Sequence, residues 1–112
     1  MTEARVEVWS DEGHILLTVS GEVDLANYQD VEARINEAVT NQTKVVEVDL
    51  TRVGFIDSAG LRVLFGLAGR LDLLQIRLEL VAPRASPAQR VIELSGLSAL
   101  VPVRTDDGAP EA

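Results

Sequence analysis

A β-branched strand and an apolar helix, joined by one short polar loop, occupy the middle of this 112-residue chain. Residues 45–50 (Val-Val-Glu-Val-Asp-Leu) are typical of a strand with at least one buried face. A helix is predicted from about Ser58 to Leu73 or Leu74, because apolar side chains recur there at three- and four-residue spacing. The predicted apolar stripe consists of Leu61, Leu64, Phe65, Ala68 and Leu71. A strand that leads directly into such a helix predicts an α/β fold.

The remaining segments extend the same pattern in both directions. Two strands are predicted, around residues 6–8 and 14–20, separated by a turn at residues 11–13. A helix follows, with Asp24 as its candidate N-cap. A further strand covers residues 76–81, and Ser86 is placed as the N-cap of another helix before a last short strand at residues 101–103. The order β-β-α-β-α-β-α-β predicts a mixed sheet of four to five strands with about three to four α-helices packed against it.

Length and composition favour a single domain over residues 1–104, followed by a disordered polar tail over residues 105–112. The absence of cysteine excludes disulfides, Cys-based zinc sites and thiol catalysis. No signal peptide or long apolar run is present, so a cytoplasmic protein is expected. A net charge of −8 disfavours nucleic acid and anionic membranes, and the ten basic residues form no cluster. A protein partner is therefore the favoured interpretation.

The loop at residues 57–61 (Asp-Ser-Ala-Gly-Leu) is the candidate functional site. Ser58 lies at or next to a helix start, where free backbone N–H groups and the positive end of the helix dipole favour an anionic group such as a phosphate. Arg62 follows one helical turn later and can fold back toward such a group. The competing interpretation is purely structural, because Asp and Ser are favoured helix caps and Gly60 permits a sharp turn.

Some side chains near this loop have two possible roles. Three apolar residues of the helix lie off the predicted stripe, namely Val63, Leu67 and Leu74, and they indicate either a docking surface or a second packed face. The apolar residues on either side of Ser58, namely Phe55, Ile56 and Leu61, are expected in the core.

Enzyme activity is not expected. The hydrolase elbow needs Gly-x-Ser-x-Gly, whereas Ile56 occupies the first glycine position here. His14, the single histidine, is predicted at the start of a strand and is not placed as a base for Ser58. Neither a metal-ligand spacing nor a phosphate-binding loop is present, so no metal and no cofactor is expected. A small serine hydrolase remains the most remote alternative.

Three segments together resemble one known family. Residues 21–24 (Gly-Glu-Val-Asp), residues 57–61 and residues 86–97, in this order, are similar to the STAS domain of bacterial anti-sigma factor antagonists, and the resemblance extends from about residue 6 to residue 103. It implies the STAS fold. It also implies that a GHKL-type anti-sigma factor with serine kinase activity binds the chain and phosphorylates Ser58.

The resemblance further implies a partner switch. The unphosphorylated antagonist binds the anti-sigma factor and releases a sigma factor, the phosphorylated form dissociates, and a serine phosphatase restores the first state. ATP and Mg²⁺ would come with the kinase, and the antagonist would be a monomer or weak dimer. The same fold also serves as a subunit of lipid-transport ATPase complexes and stress-sensing assemblies, which remain alternatives.

The predicted partner- and kinase-binding set combines the segments of the resemblance with Arg62, whose helical spacing to Ser58 suggests its role. Asp24 and Asp57 are expected either to hold the loop and help position the metal and nucleotide of the kinase, or only to cap helices. Ala59 stands where many relatives carry a second small hydroxyl residue, which leaves Ser58 as the acceptor. After Val103 the chain is too short and too polar for the family's usual final helix, so that edge of the sheet is expected to be bare or used in pairing. The set is Asp24, Asp57, Ser58, Ala59, Gly60, Arg62 and Ser86.

Overall fold

Five strands lie side by side in chain order and form one mixed sheet in the computed structural model, which describes residues 3–105. The first pair is antiparallel and the other three pairs are parallel. This order confirms the predicted β-β-α-β-α-β-α-β arrangement. In the described range the elements are β1 (Ala4–Asp11), β2 (His14–Val23), α1 (Tyr28–Ala38), β3 (Val45–Ile56), α2 (Ser58–Leu73), β4 (Arg77–Val81), α3 (Pro87–Ser95), a 3-10 turn (Leu97–Ala99) and β5 (Val103–Arg104).

The hairpin between β1 and β2 is closed by a two-residue turn. Asp11 pairs with His14, and the two intervening residues both have positive φ, +46° at Glu12 and +87° at Gly13. Positive φ at both central residues is the signature of the type I′ turn, whose twist matches that of the flanking strands. The predicted turn at residues 11–13 is thereby confirmed.

Strand β3 continues to Ile56, so the prediction that it ends at residue 50 is wrong. Its register against β2 slips twice: Thr18 pairs with Asp49 but Ser20 pairs with Arg52, and a second slip follows Gly21. Each slip inserts one extra residue in β3, and each extra residue moves the following side chains to the other face. The alternation therefore breaks after Leu50, although the strand does not. The buried positions of β3 are Val46, Val48 and Leu50, then Val53 and Ile56.

All three helices pack with one face of the sheet in a single hydrophobic core. On α2, the fully buried stripe is rotated from the predicted one and consists of Gly60, Val63, Leu64, Leu67 and Leu71. Val63 and Leu67 thus belong to a packed face rather than to a docking surface, whereas Leu74 is 53% exposed. The apolar arc is broad because α2 contacts α1 as well as the sheet, and Arg70 Nη1 donates to Asn36 Oδ1 of α1 at 2.6 Å.

The last strand, β5, pairs with the end of β4 and begins two residues later than predicted. Beyond it, the carbonyl of Thr105 accepts a hydrogen bond from the Arg84 N–H at 2.9 Å. The rest of the predicted tail, residues 106–112, lies outside the described residues.

Within residues 3–105, none of the helices combines the length and the apolar character needed to cross a membrane.

Two glycines provide a matched test of this packing. Gly21 has a φ of +92°, and a Cβ there would lie 2.1 Å from the carbonyl oxygen of Glu3. We expect Gly21→Ala to lower the free energy of unfolding by about 1–3 kcal/mol through backbone strain and overpacking. Gly69 lies in α2, and a Cβ there meets no atom within 4 Å. Gly69→Ala should raise the free energy of unfolding by about 0.5–1 kcal/mol, because alanine restricts the unfolded chain. Urea unfolding measures both, and equal effects would contradict the assigned strain at Gly21.

Candidate functional site

The loop that carries Ser58 begins where β2 and β3 end side by side. Val23 pairs with Ile56, and the N–H of Asp57 donates to the carbonyl of Val23 at 3.2 Å. Asp57 is the N-cap of α2, and its Oδ1 accepts hydrogen bonds from the N–H groups of Ala59 at 2.9 Å and Gly60 at 3.1 Å. The capping role considered for Asp57 is confirmed, and Ser58 follows as the first residue of the helix.

The same carboxylate also reaches the neighbouring loop between β2 and α1. Its second oxygen, Oδ2, accepts a hydrogen bond from the N–H of Leu25 at 3.1 Å. Asp57 therefore joins the start of α2 to a segment 32 residues earlier in the chain. Because both of its oxygens accept hydrogen bonds, the side chain holds the two loops together at the carboxyl ends of adjacent parallel strands.

Asp24 lies in this β2–α1 loop, but it is not the N-cap of α1, so that prediction is wrong. The N-cap is Asn27. Asp24 instead closes a local turn, because its Oδ1 accepts from the N–H of Ala26 at 2.9 Å while its own N–H donates to Asn27 Oδ1 at 3.0 Å. Short polar side chains that hydrogen-bond to nearby backbone groups favour turns as well as helix caps, and at Asp24 the turn forms. The turn stabilises the backbone on both sides of Leu25.

Ser58 is exposed at the N-terminus of α2. Among residues 3–105 its hydroxyl makes no hydrogen bond. Ala59, half-buried and small, follows it. The hydroxyl is therefore accessible to a large partner approaching from solvent.

Gly60 allows α2 to start close to the strand ends. A Cβ at this position would lie 2.6 Å from Ile56 Cγ1 and 3.0 Å from Val23 Cγ1. Side chains cannot approach that closely, so the helix would have to shift outward if residue 60 were larger. The residue is buried, and its position serves the packing of the loop on β2 and β3.

Arg62 is exposed one turn after Ser58 on α2. Its guanidinium makes no hydrogen bond or ion pair with any other described residue. It is therefore a cation available on the same side of the helix as the Ser58 position.

Ser86 caps α3, as predicted, and its Oγ accepts a hydrogen bond from the Gln89 N–H at 3.2 Å. No described hydrogen bond joins it to the Ser58 loop. The pairing of β3 with β4 ends at Asp49 and Val81, whereas β3 continues to Ile56 beside β2 alone. The structure thus brings six of the predicted residues to one edge, namely Asp24, Asp57, Ser58, Ala59, Gly60 and Arg62. Ser86 caps α3, which follows β4, and the pairing of β4 with β3 ends before β3 reaches this edge.

The exposure of two apolar side chains at this edge was not predicted from the sequence. Leu25 is 75% exposed in the β2–α1 loop, where a single leucine among turn residues carries no periodic signal. Phe55 is 47% exposed, so its expected place in the core is wrong. The second register slip of β3 pairs Phe55 with Glu22, which is exposed, and leaves Ile56 as the buried residue. The exposure of Phe55 follows from the bulges, and a sequence interpreted as a regular alternation gives no indication of them.

A serine-hydrolase arrangement is absent from the described residues. His14 begins β2, whereas the Ser58 loop lies where β2 ends. At about 3.3 Å per residue, a strand of this length separates the two groups by about 30 Å. The imidazole instead meets the ring of Trp9 edge-on, with 6.4 Å between ring centroids. It is therefore too far away to activate the Ser58 hydroxyl.

The dual role of Asp57 can be tested by truncation. We expect Asp57→Ala to lower the free energy of unfolding by about 0.5–2 kcal/mol, because the N-cap of α2 is lost. Asp72→Ala is the matched control, since Asp72 is exposed on the last turn of the same helix. Urea unfolding should show little or no loss for the control. Hydrogen exchange at the Leu25 amide should accelerate in Asp57→Ala alone, and unchanged protection there would contradict the link between the loops.

Comparisons with known proteins agree with this architecture. Residues 5–108 match the family model described as the STAS domain. BtrV of Bordetella bronchiseptica, which carries the name of an anti-sigma factor antagonist, is 34% identical over 102 residues, covering 90% of this chain and 86% of BtrV. The crystal structure of an anti-sigma factor antagonist from Mycobacterium paratuberculosis superposes with a TM-score of 0.81 and 26% identity, covering 91% of this chain and 86% of that one.

A more distant structural neighbour shares the fold alone. The anti-sigma factor antagonist SpoIIAA is 20% identical to this chain. Its unphosphorylated form has a TM-score of 0.73 and its phosphorylated form, from Bacillus, one of 0.69, each over 92% of this chain and 90% and 94% of SpoIIAA respectively. With the sheet order, the loop geometry and these matches taken together, the chain belongs to the STAS domain family.

Proposed function

We propose that this chain is an anti-sigma factor antagonist whose binding to an anti-sigma factor is switched off when Ser58 is phosphorylated. The observation that carries the proposal is the position of Ser58, whose hydroxyl is exposed at the start of α2 and makes no hydrogen bond with the described residues. The names of its relatives support the same class of regulator.

The chemistry takes place on this protein rather than being performed by it. A GHKL-type anti-sigma factor acts as the kinase and brings ATP and Mg²⁺, and a serine phosphatase restores the hydroxyl. The acceptor must enter the active site of the kinase, and a small neighbour such as Ala59 leaves the approach open. The chain therefore needs neither a base nor a metal of its own.

A phosphate on Ser58 would enter an acidic environment. It carries about −1.5 to −2 charges at neutral pH and would lie next to the carboxylate of Asp57, with Asp24 in the adjoining loop. The N–H groups of Ala59 and Gly60 already donate to Asp57, so the helix start offers fewer free donors than the sequence alone indicates. Like-charge repulsion and competition for these amides therefore both oppose the phosphate.

The free protein and the complex respond differently to this charge. In the free protein, water and the available guanidinium of Arg62 stabilise the phosphate. In an interface built around a neutral hydroxyl, the same phosphate would be desolvated without a partner. A penalty of about 3 kcal/mol weakens binding by more than 100-fold. The switch therefore needs no change of fold, and the similarity of this chain to both forms of SpoIIAA supports that expectation.

Substitution at Ser58 tests the proposal directly. With a purified anti-sigma kinase from the same genome and radiolabelled ATP, we expect Ser58→Ala to bind the kinase but to incorporate no phosphate. Ser58→Glu should bind more than about 100-fold more weakly, because the added charge remains unpaired in the interface. Ser98→Ala is the matched control, since Ser98 is exposed in the 3-10 turn. The control should incorporate phosphate as the unaltered chain does.

Two outcomes would contradict the proposal. Phosphate incorporation into Ser58→Ala would show that another residue is the acceptor. Unweakened binding by Ser58→Glu would show that charge at this position does not control the partner, as expected for a subunit of a lipid-transport ATPase complex or a stress-sensing assembly.

A further inference from the structure

We propose that Leu25 and Phe55 form an apolar anchor by which the anti-sigma factor holds the unphosphorylated chain. This inference rests on the proposed function, and it names the surface of the partner: a hydrophobic pocket rimmed by basic side chains. Leu25 and Phe55 are called the anchor residues below.

The exposure of the anchor residues has no explanation within the fold. Leu25 is 75% exposed and Phe55 is 47% exposed, and neither belongs to the hydrophobic core. They come from different elements, the β2–α1 loop and the end of β3, yet both reach the edge that carries Ser58. Large apolar side chains that gather at one edge of a sheet are typical of an interaction site.

Their backbone is held in place before any partner binds. Asp57 Oδ2 accepts from the Leu25 N–H at 3.1 Å, and the turn closed by Asp24 surrounds the same residue. The N–H of Asp57, two residues after Phe55, donates a hydrogen bond to the carbonyl of Val23 at 3.2 Å. An anchor that is already ordered loses less conformational entropy on binding, so more of the apolar contact appears as affinity.

Charge around the anchor identifies the chemistry of the partner. Three acidic residues neighbour the anchor residues, because Asp24 precedes Leu25, Asp57 accepts from the Leu25 N–H, and Glu22 pairs with Phe55. The chain as a whole has a net charge of −8. A partner surface with lysine or arginine around its pocket would be attracted to this edge. Partners with an acidic surface would be repelled from it. This surface is continuous with Ser58, since Asp57 contacts both the start of α2 and the Leu25 amide.

The continuity also explains how a phosphate would affect the anchor. A phosphate on Ser58 repels the carboxylate that holds Leu25 in position, so the added charge acts on the anchor as well as on the partner. The anchor and the switch are therefore two parts of one surface, with Asp57 as the positioning residue between them.

Other exposed leucines provide matched controls. Leu73 is 85% exposed and lies at the far end of α2, about 22 Å from Ser58 along the helix axis. Leu94 is 84% exposed on α3. Both are at least as exposed as Leu25, so their substitution measures the effect of removing any exposed leucine, as distinct from an anchor residue.

The experiment measures binding of unphosphorylated full-length variants to the purified anti-sigma kinase that binds the unaltered chain. We expect Leu25→Ala and Phe55→Ala to raise Kd at least tenfold, and Leu73→Ala and Leu94→Ala to change it less than twofold. Leu25→Ala should raise the KM of the kinase for this substrate and leave kcat unchanged, because an anchor contributes equally to ground and transition states. Binding should weaken as salt rises, and less steeply for Glu22→Gln.

Each result bears on a different statement. A Kd for Leu25→Ala within twofold of the unaltered value, with normal Ser58-dependent binding, overturns the anchor and leaves the proposed function in place. Equal weakening by the Leu73 and Leu94 variants also overturns it. If no anti-sigma kinase binds the unaltered chain, both the proposed function and the anchor are wrong. Thermal unfolding of each variant checks whether it is folded, and Leu25→Ala is the deciding variant if Phe55→Ala is unstable.

Discussion

One carboxylate connects the main parts of this edge of the sheet. Asp57 uses one oxygen to cap α2 and the other to hold the amide of Leu25, while its own N–H bonds to the end of β2. A charged acceptor that satisfies otherwise unpaired amides is stronger than a neutral one, and its loss leaves those donors without partners. The positions of Ser58 and Leu25 both depend on this side chain.

Two structural requirements meet at the same loop. The start of α2 must lie close enough to β2 and β3 for the core to close, which only glycine at position 60 allows without a clash with Ile56. At the same time, the proposed phosphorylation requires that Ser58 remain exposed, as it is in the structure. A short loop with a buried glycine and an exposed serine satisfies both conditions, since residues two positions apart in a helix point to nearly opposite sides.

Electrostatics at this edge favours a switch based on charge. The surroundings of Ser58 are acidic, and the amides that would bind a phosphate already bind Asp57. Phosphorylation would therefore add charge where little compensation exists apart from Arg62 and water. Such a change would alter the affinity for a partner more than the stability of the fold, which is what the proposed switch requires.

The sequence by itself determined the element order, the cap at Ser86 and the place of Ser58 at a helix start, because these depend on local periodicity and on side chains within a few residues. It left capping by Asp57 as one of two possible roles. Only the tertiary structure decided the rest. The extension of β3 to Ile56, the exposure of Phe55 and the bond from Leu25 to Asp57 arise from register slips and from contacts between segments about 30 residues apart. Pairing between distant strands sets which face a side chain occupies, and a regular alternation cannot reveal an inserted residue.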